Sequence, residues 1–170
     1  NPVVLGQVRA RQERRGEELG RQVCRDMAFT TMGYVVMQAQ QRVGGLCWRY
    51  WFDYVAEAEH ATYINGAWHG NEVPYVFDTL GQVEPSRQYV NERDVQFAAQ
   101  VADYWVSFAR DAGPHEILPG PTHWPACRKG RDVLLRIGVN KHAGFRLENR
   151  FMRARMSLFK RVMKHHVSLD

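Results

Sequence analysis

The spacing of apolar residues along this chain changes several times, and each change marks an element. From Thr31, residues Met32, Val35, Val36, Ala39 and Val43 recur three and four apart, which predicts a helix closed by a Gly44-Gly45 cap. Leu46 to Tyr54 is dense in aromatics and fits a buried strand, whose carboxyl end leads through a polar loop to His69. Asn91, with Asp94 three residues on, predicts a capping-box start to the next helix. Val95, Ala98, Ala102, Trp105 and Ala109 are its expected core stripe, and Trp105 and Phe108 are expected in the core and not against a substrate. Gly113 to Pro125 holds four prolines and reads as an ordered surface loop, followed by a strand-like stretch from Asp132 to Gly138. Met152, Met156, Phe159 and Met163 then form the stripe of a final helix. The predicted class is α/β, with helices outnumbering strands. Those strands are expected to need sheet neighbours from outside the chain.

Residues 7 to 20 are charge-dense and interrupted by Gly16 and Gly20, which predicts a surface helix or a mobile connector. No internal repeat, low-complexity tract or interdomain linker is evident.

Composition narrows the class without naming a function. A chain of 170 residues with 45% hydrophobic and 24% charged residues has the balance of an ordinary globular protein. It holds no run of about eighteen apolar residues, so no membrane span is expected, and Asn1 to Gly6 form no signal-peptide core. Asn1 in place of Met suggests a start within a longer protein or after processing.

The net charge of +5 comes partly from Arg9 to Arg15 and partly from Arg146 to Lys164. Such a balance raises the possibility of a basic helical nucleic-acid binder. The pattern favours a docked amphipathic helix with a solvated basic side, because Arg153, Lys160 and Lys164 fall largely off the methionine stripe. No nucleic-acid partner is therefore expected. A binder of that kind would show affinity falling steeply with salt. Cys24, Cys47 and Cys127 have neither metal-ligand spacing nor an even count, and are expected as buried free thiols. They do not indicate a compartment, and no metal or organic cofactor is expected.

The candidate chemistry lies in Gly66-Ala67-Trp68-His69-Gly70-Asn71-Glu72-Val73-Pro74-Tyr75-Val76-Phe77. Glycines at 66 and 70 allow a tight turn, so His69 is expected on an exposed loop, where catalytic side chains concentrate. One histidine among seven is more often a surface or structural residue. Its surroundings alter that balance. The segment resembles the one around the catalytic histidine of type-B carboxylesterases, the α/β-hydrolases that include cholinesterases and bacterial para-nitrobenzyl esterases. Further landmarks follow in the family's order: Asp103 to Arg110 is similar to its W-x-x-F-A helix, Gly113-Pro114 to the turn after it, and Trp124-Pro125 to its W-P pair. Asp132 to Gly138 resembles the strand that follows. Upstream, Asp26-Met27-Ala28-Phe29 and Trp48 to Tyr54 are similar to a D-x-x-F helix start and a Y-x-F strand. The resemblance spans about residues 22 to 165.

The resemblance implies the C-terminal portion of an α/β-hydrolase fold over residues 22–170, with 1–21 as the charged connector or surface helix. It also implies ester hydrolysis through an acyl-serine, with His69 as the base, Glu72 as a buried hydrogen-bonded supporting carboxylate and Gly70 as a supporting turn residue. The plainer role for Glu72 is the preference for negative charge at a helix N-terminus. In this fold class the triad follows the order serine, acid, histidine. Ser86, Ser107, Ser157 and Ser168 lie in no G-x-S-x-G elbow, and Glu13, Glu17 and Glu18 lack the family's acid motif. The nucleophile, acid and oxyanion loop are therefore expected upstream of residue 1, in an N-terminal remainder of the domain, and the segment alone is expected to be inactive.

Asn71 stands where cholinesterases place an aromatic, which points to a general carboxylesterase acting on small-molecule esters. The cholinesterase crosslink to the C-terminal helix is expected to be missing, since the matching position is Ser157. The alternative is a non-catalytic cholinesterase-like binding or adhesion domain. A serine elbow upstream would separate the two.

Overall fold

The computed structural model describes the backbone of residues 2–82, 84 and 86–164, with side chains from residue 11 onward. Ser168 lies outside the described residues. The chain divides into two compact units, Asn1–Ala39 with Met152–Asp170, and Gln40–Phe151.

In the first unit, helix α1 (Pro2–Arg25) runs through one π-helical turn (Asp26–Thr30) into α2 (Thr31–Arg42). The turn accommodates Asp26, which is fully buried and ion-paired with Arg25 at 3.0 Å and Arg155 at 3.1 Å. A buried carboxylate is tolerated only with such partners. Helix α5 (Arg153–Met163) lies against this segment, the Thr31 hydroxyl 3.6 Å from the Met156 sulfur and Lys160 donating to Gln38 at 2.8 Å. Met156 is buried and Met152, Phe159 and Met163 are half-buried, so the methionine stripe faces inward as its spacing predicts.

The α2 stripe is corrected. Thr31, Tyr34 and Met37 are its buried residues, whereas Val36 and Val43 stand exposed. Tyr34 and Met37 offer more area and a polar tip that reaches Ser157, which the smaller valines cannot match. The helix does end at Gly44, with the Gly45 N–H donating to the Gln40 carbonyl at 2.8 Å.

The second unit is built on β1 (Tyr50–Tyr54), which pairs in parallel with β4 (Val133–Asn149). The aromatic run is therefore a shorter strand than its composition suggests. Tyr50 aligns with Leu135 and Phe52 with Ile137, and the register breaks before Tyr54, which aligns with Lys141. Strand β4 is longer than expected because it doubles back. The Arg150 N–H reaches the Asp132 carbonyl at 2.9 Å, and Asn140 and Lys141 both take positive φ, as the centre of a tight hairpin turn requires.

Helix α4 (Glu92–Asp111) opens with the expected reciprocal cap, Asn91 accepting from the Asp94 N–H at 3.0 Å. Its stripe is rotated from the expectation. Phe97, Ala98, Val101 and Tyr104 are buried, Trp105 is half-buried against the core, and Val95, Ala109 and, against expectation, Phe108 are exposed. The larger aromatics claim the core face, and their neighbours follow the helical period. The proline-rich loop contains a small antiparallel pair, β2 (Ile117–Leu118) with β3 (Trp124–Pro125), held to α4 by the Tyr104 hydroxyl, which donates to the Thr122 carbonyl at 2.6 Å. Tyr54, Tyr75, Leu80, Phe97, Leu135 and Ile137 close the core. Among the described residues, no helix is long and apolar enough to cross a membrane.

Candidate functional site

His69 projects from a turn that the sequence specifies locally. The Asn71 N–H donates to the Trp68 carbonyl at 3.1 Å, so residues 68 to 71 form a β-turn with His69 and Gly70 at its centre. Gly70 has φ 86°, the left-handed value a type II turn demands at its third position and glycine alone adopts without strain. His69 is exposed in this turn.

One tether holds the turn on the end of β1, and two more order the loop that leads into it. The Asn71 side chain, buried to 6% exposure, donates to the Tyr54 carbonyl at 2.9 Å. The Lys141 ammonium donates to the carbonyls of Tyr63 and Ile64, each at 2.9 Å, and thereby fixes the loop leading into the turn. His60 bonds the Val55 carbonyl at 2.8 Å and packs edge-on against His142. Residues at this place lie beyond the carboxyl end of a parallel strand, where α/β folds assemble their reacting groups.

The strand end is itself anchored. The Tyr54 hydroxyl donates to the fully buried Asp94 carboxylate, which also accepts the Asn91 N–H at 2.9 Å. Burial, then this bond to a carboxylate, pushes the Tyr54 hydroxyl well above its ordinary range, so it stays a donor throughout neutral pH. Beside it, Arg136 ion-pairs with both Asp53 and Glu148, tying β1 to both limbs of β4.

Glu72 is half-buried, not buried as expected, and it makes no side-chain hydrogen bond as N-cap of the one-turn helix α3 (Val73–Val76). Its charge is felt at the head of β1. Burial first, then the Glu72 carboxylate, raises the Tyr50 hydroxyl. The serines are engaged in structure: Ser86 donates to the Leu80 carbonyl at 2.6 Å, Ser157 bonds Tyr34 at 3.4 Å, and Ser107 is buried within α4. His69, Gly70 and Glu72 are neighbours in sequence; His69 and Gly70 form the centre of the turn and Glu72 follows it. No group of three or more metal-ligating side chains is found among the described residues. Asn71 and Lys141, which hold the segment, were not singled out by sequence for that role. The glycine turn pointed to the place, but the carbonyls they bind come from residues distant in the chain.

A sequence profile of the carboxylesterase family matches residues 5–158, and the chain belongs to that family. The carboxylesterase of Geobacillus stearothermophilus is similar in structure, with a TM-score of 0.52 at 25% identity over 72% of this chain. The chain spans 23% of that enzyme's length. No curated protein sequence matches it. The fold is accordingly α/β of the α/β-hydrolase kind, with helices outnumbering strands.

Proposed function

We propose that this chain contributes the catalytic histidine, His69, to a carboxylesterase that cleaves small-molecule carboxylic esters by a serine-histidine-acid mechanism. The nucleophilic serine, the acid and the oxyanion donors belong to sequence outside these 170 residues. The observation that carries this reading is the anchoring of an exposed His-Gly turn at the carboxyl end of β1, in a chain of the carboxylesterase family.

The chemistry follows from the imidazole. As base, its ring nitrogen takes the serine proton while the hydroxyl oxygen attacks the ester carbonyl. It then returns that proton to the departing alcoholate and repeats the sequence with water, releasing the carboxylic acid. The Asn71 tether limits how far the turn can shift during these transfers, and pre-set geometry of this kind is a large part of such catalysis. Glu72 supports the site from directly after the turn without touching the substrate, and Gly70 supplies the turn's conformation.

The test is hydrolysis of para-nitrophenyl butyrate by the full-length protein. It should turn over, and His69→Ala should lower kcat/KM by roughly three to six orders of magnitude, since triad members act as a unit. The 170-residue segment alone should show only the background of an exposed imidazole. A full-length enzyme that keeps near-normal activity without His69 would overturn the assignment.

A further inference from the structure

Cys47 and Cys127, far apart in sequence, are opposed residues of an antiparallel bridge, with the Cys127 N–H donating to the Cys47 carbonyl at 2.6 Å. Opposed residues of an antiparallel pair have Cα atoms about 4.5–5.5 Å apart, inside the roughly 4.4–6.8 Å that a disulfide spans. Their side chains leave the same face. The Cys127 thiol donates to the Val133 carbonyl at 2.9 Å, and the neighbouring sulfur is the strongest influence on the ionisation of each thiol.

The surroundings favour reaction over inert packing. Cys127 is fully buried, but Cys47 is only half-buried, so a small oxidant has a way in. Arg49 favours a thiolate at either sulfur, while its ion-pair partner Asp132, 2.8 Å away, opposes it, so the nearby charges largely offset one another. The Cys47 thiol's hydrogen bond pulls Cys127 down to about 7 against the opposing effect of burial. Cys47 is pushed up in turn, first by its hydrogen bond to Cys127, then by burial, and then by the negative charge beside it. The pair therefore holds one readily ionised sulfur next to one that keeps its proton, the arrangement from which a thiolate attacks and a second thiol resolves.

We propose that Cys47 and Cys127 are a redox-reactive pair that closes to an intrachain disulfide on exposure to a hydroperoxide. The thiolate of one sulfur attacks the peroxide oxygen, the O–O bond breaks, and a sulfenic acid forms with release of hydroxide. The second sulfur then displaces the sulfenic oxygen as the S–S bond forms. In sum two thiols give up two electrons and two protons, and one hydrogen peroxide becomes two waters. The bond joins the segment entering β1 to the segment entering β4 and encloses the His69 turn and α4 within one loop. Such a closure restricts the unfolded chain and stabilises the fold. Cys24 is exposed and lies in the other unit, so it serves as an internal control.

The experiment treats the reduced full-length protein with a small excess of hydrogen peroxide, blocks remaining thiols with N-ethylmaleimide, and maps unreduced peptides by mass spectrometry. The expected product is a Cys47–Cys127 crosslinked peptide, lighter than the two reduced peptides by two hydrogens and abolished by dithiothreitol. It should form before Cys24 is modified, and the oxidised protein should melt several degrees higher. In Cys47→Ala no such crosslink forms, and Cys127 is recovered as its maleimide adduct after denaturation. Recovery of Cys47 and Cys127 as maleimide adducts after denaturation, from protein in which Cys24 is already oxidised, would overturn the proposal. That outcome is read on the wild-type chain and depends neither on a variant folding nor on esterase activity.

Discussion

The side-chain amide of Asn71 donates to the backbone carbonyl of Tyr54, which makes the last residue of β1 and the His69 turn one mechanical unit. Asn71→Ala removes a buried donor and leaves that carbonyl unsatisfied, at a cost of about 1–3 kcal/mol. In the full-length protein, if it hydrolyses esters as proposed, kcat should fall about tenfold to a hundredfold with KM little changed, because the Asn71 side chain is buried against the Tyr54 carbonyl. Paired steady-state kinetics checks this, and a change confined to KM would contradict it.

Glu72 is half-buried directly after the turn and makes no capping bond, so the supporting role proposed for it rests on its charge. Glu72→Gln should lower turnover by about one to two orders of magnitude, well short of the loss from His69→Ala. Comparing the two variants on para-nitrophenyl butyrate decides it. Equal losses would promote Glu72 from a supporting group to a member of the triad.

Gly138 lies where β4 passes the end of β1, with φ 83° and an added Cβ that would fall 2.5 Å from the Tyr54 nitrogen. The obstructing atoms are backbone and cannot swing aside. Gly138→Ala should destabilise the protein by about 2–4 kcal/mol, combining strain at positive φ with overpacking. Urea denaturation of the full-length protein measures it. An alanine variant as stable as the wild type would mean that the two strands do not approach in this way.

Burial alone would raise the Glu148 carboxyl, but hydrogen bonds from Arg146 and Arg136 hold it below its ordinary value. With a depressed folded-state pKa, its contribution is fully present above the unfolded carboxyl's value of about 4.3 and is lost as pH falls through the lower folded one. Glu148→Gln should therefore flatten the acid limb of the stability profile below about pH 4.3 and leave the slope at neutral pH unchanged. Denaturant midpoints measured across that limb would show it.

Local signals were legible in the sequence, and long-range ones were not. The Asn91–Asp94 cap, the Gly44 helix end, the methionine stripe of α5 and the glycine turn at His69 each depend on residues within one or two turns of chain, and each stands where the pattern placed it. The pattern does not fix the buried faces of α2 and α4, because the periodicity fits more than one rotation. Packing then selects the face carrying Tyr34, Phe97 and Tyr104. The tethering roles of Asn71 and Lys141 are not legible in the sequence, because their acceptors, the carbonyls of residues 54, 63 and 64, have no sequence signature. Cys47 and Cys127 likewise become a pair only once the strands that follow them are brought together.

The parallel pairing of Tyr50 with Leu135 has a kinetic consequence. Most of the second unit must be synthesised before β1 can meet its partner, and the entropy of closing so long a loop is lost before the ladder returns anything. Helix α4, with its local cap and contiguous core stripe, can form early. The β1–β4 ladder is then a late event. Refolding should accordingly show helical signal ahead of the burial of the Tyr54 and Trp124 rings, and the His69 turn, tethered to residues 54 and 141, should be among the last parts of the fold to acquire its shape.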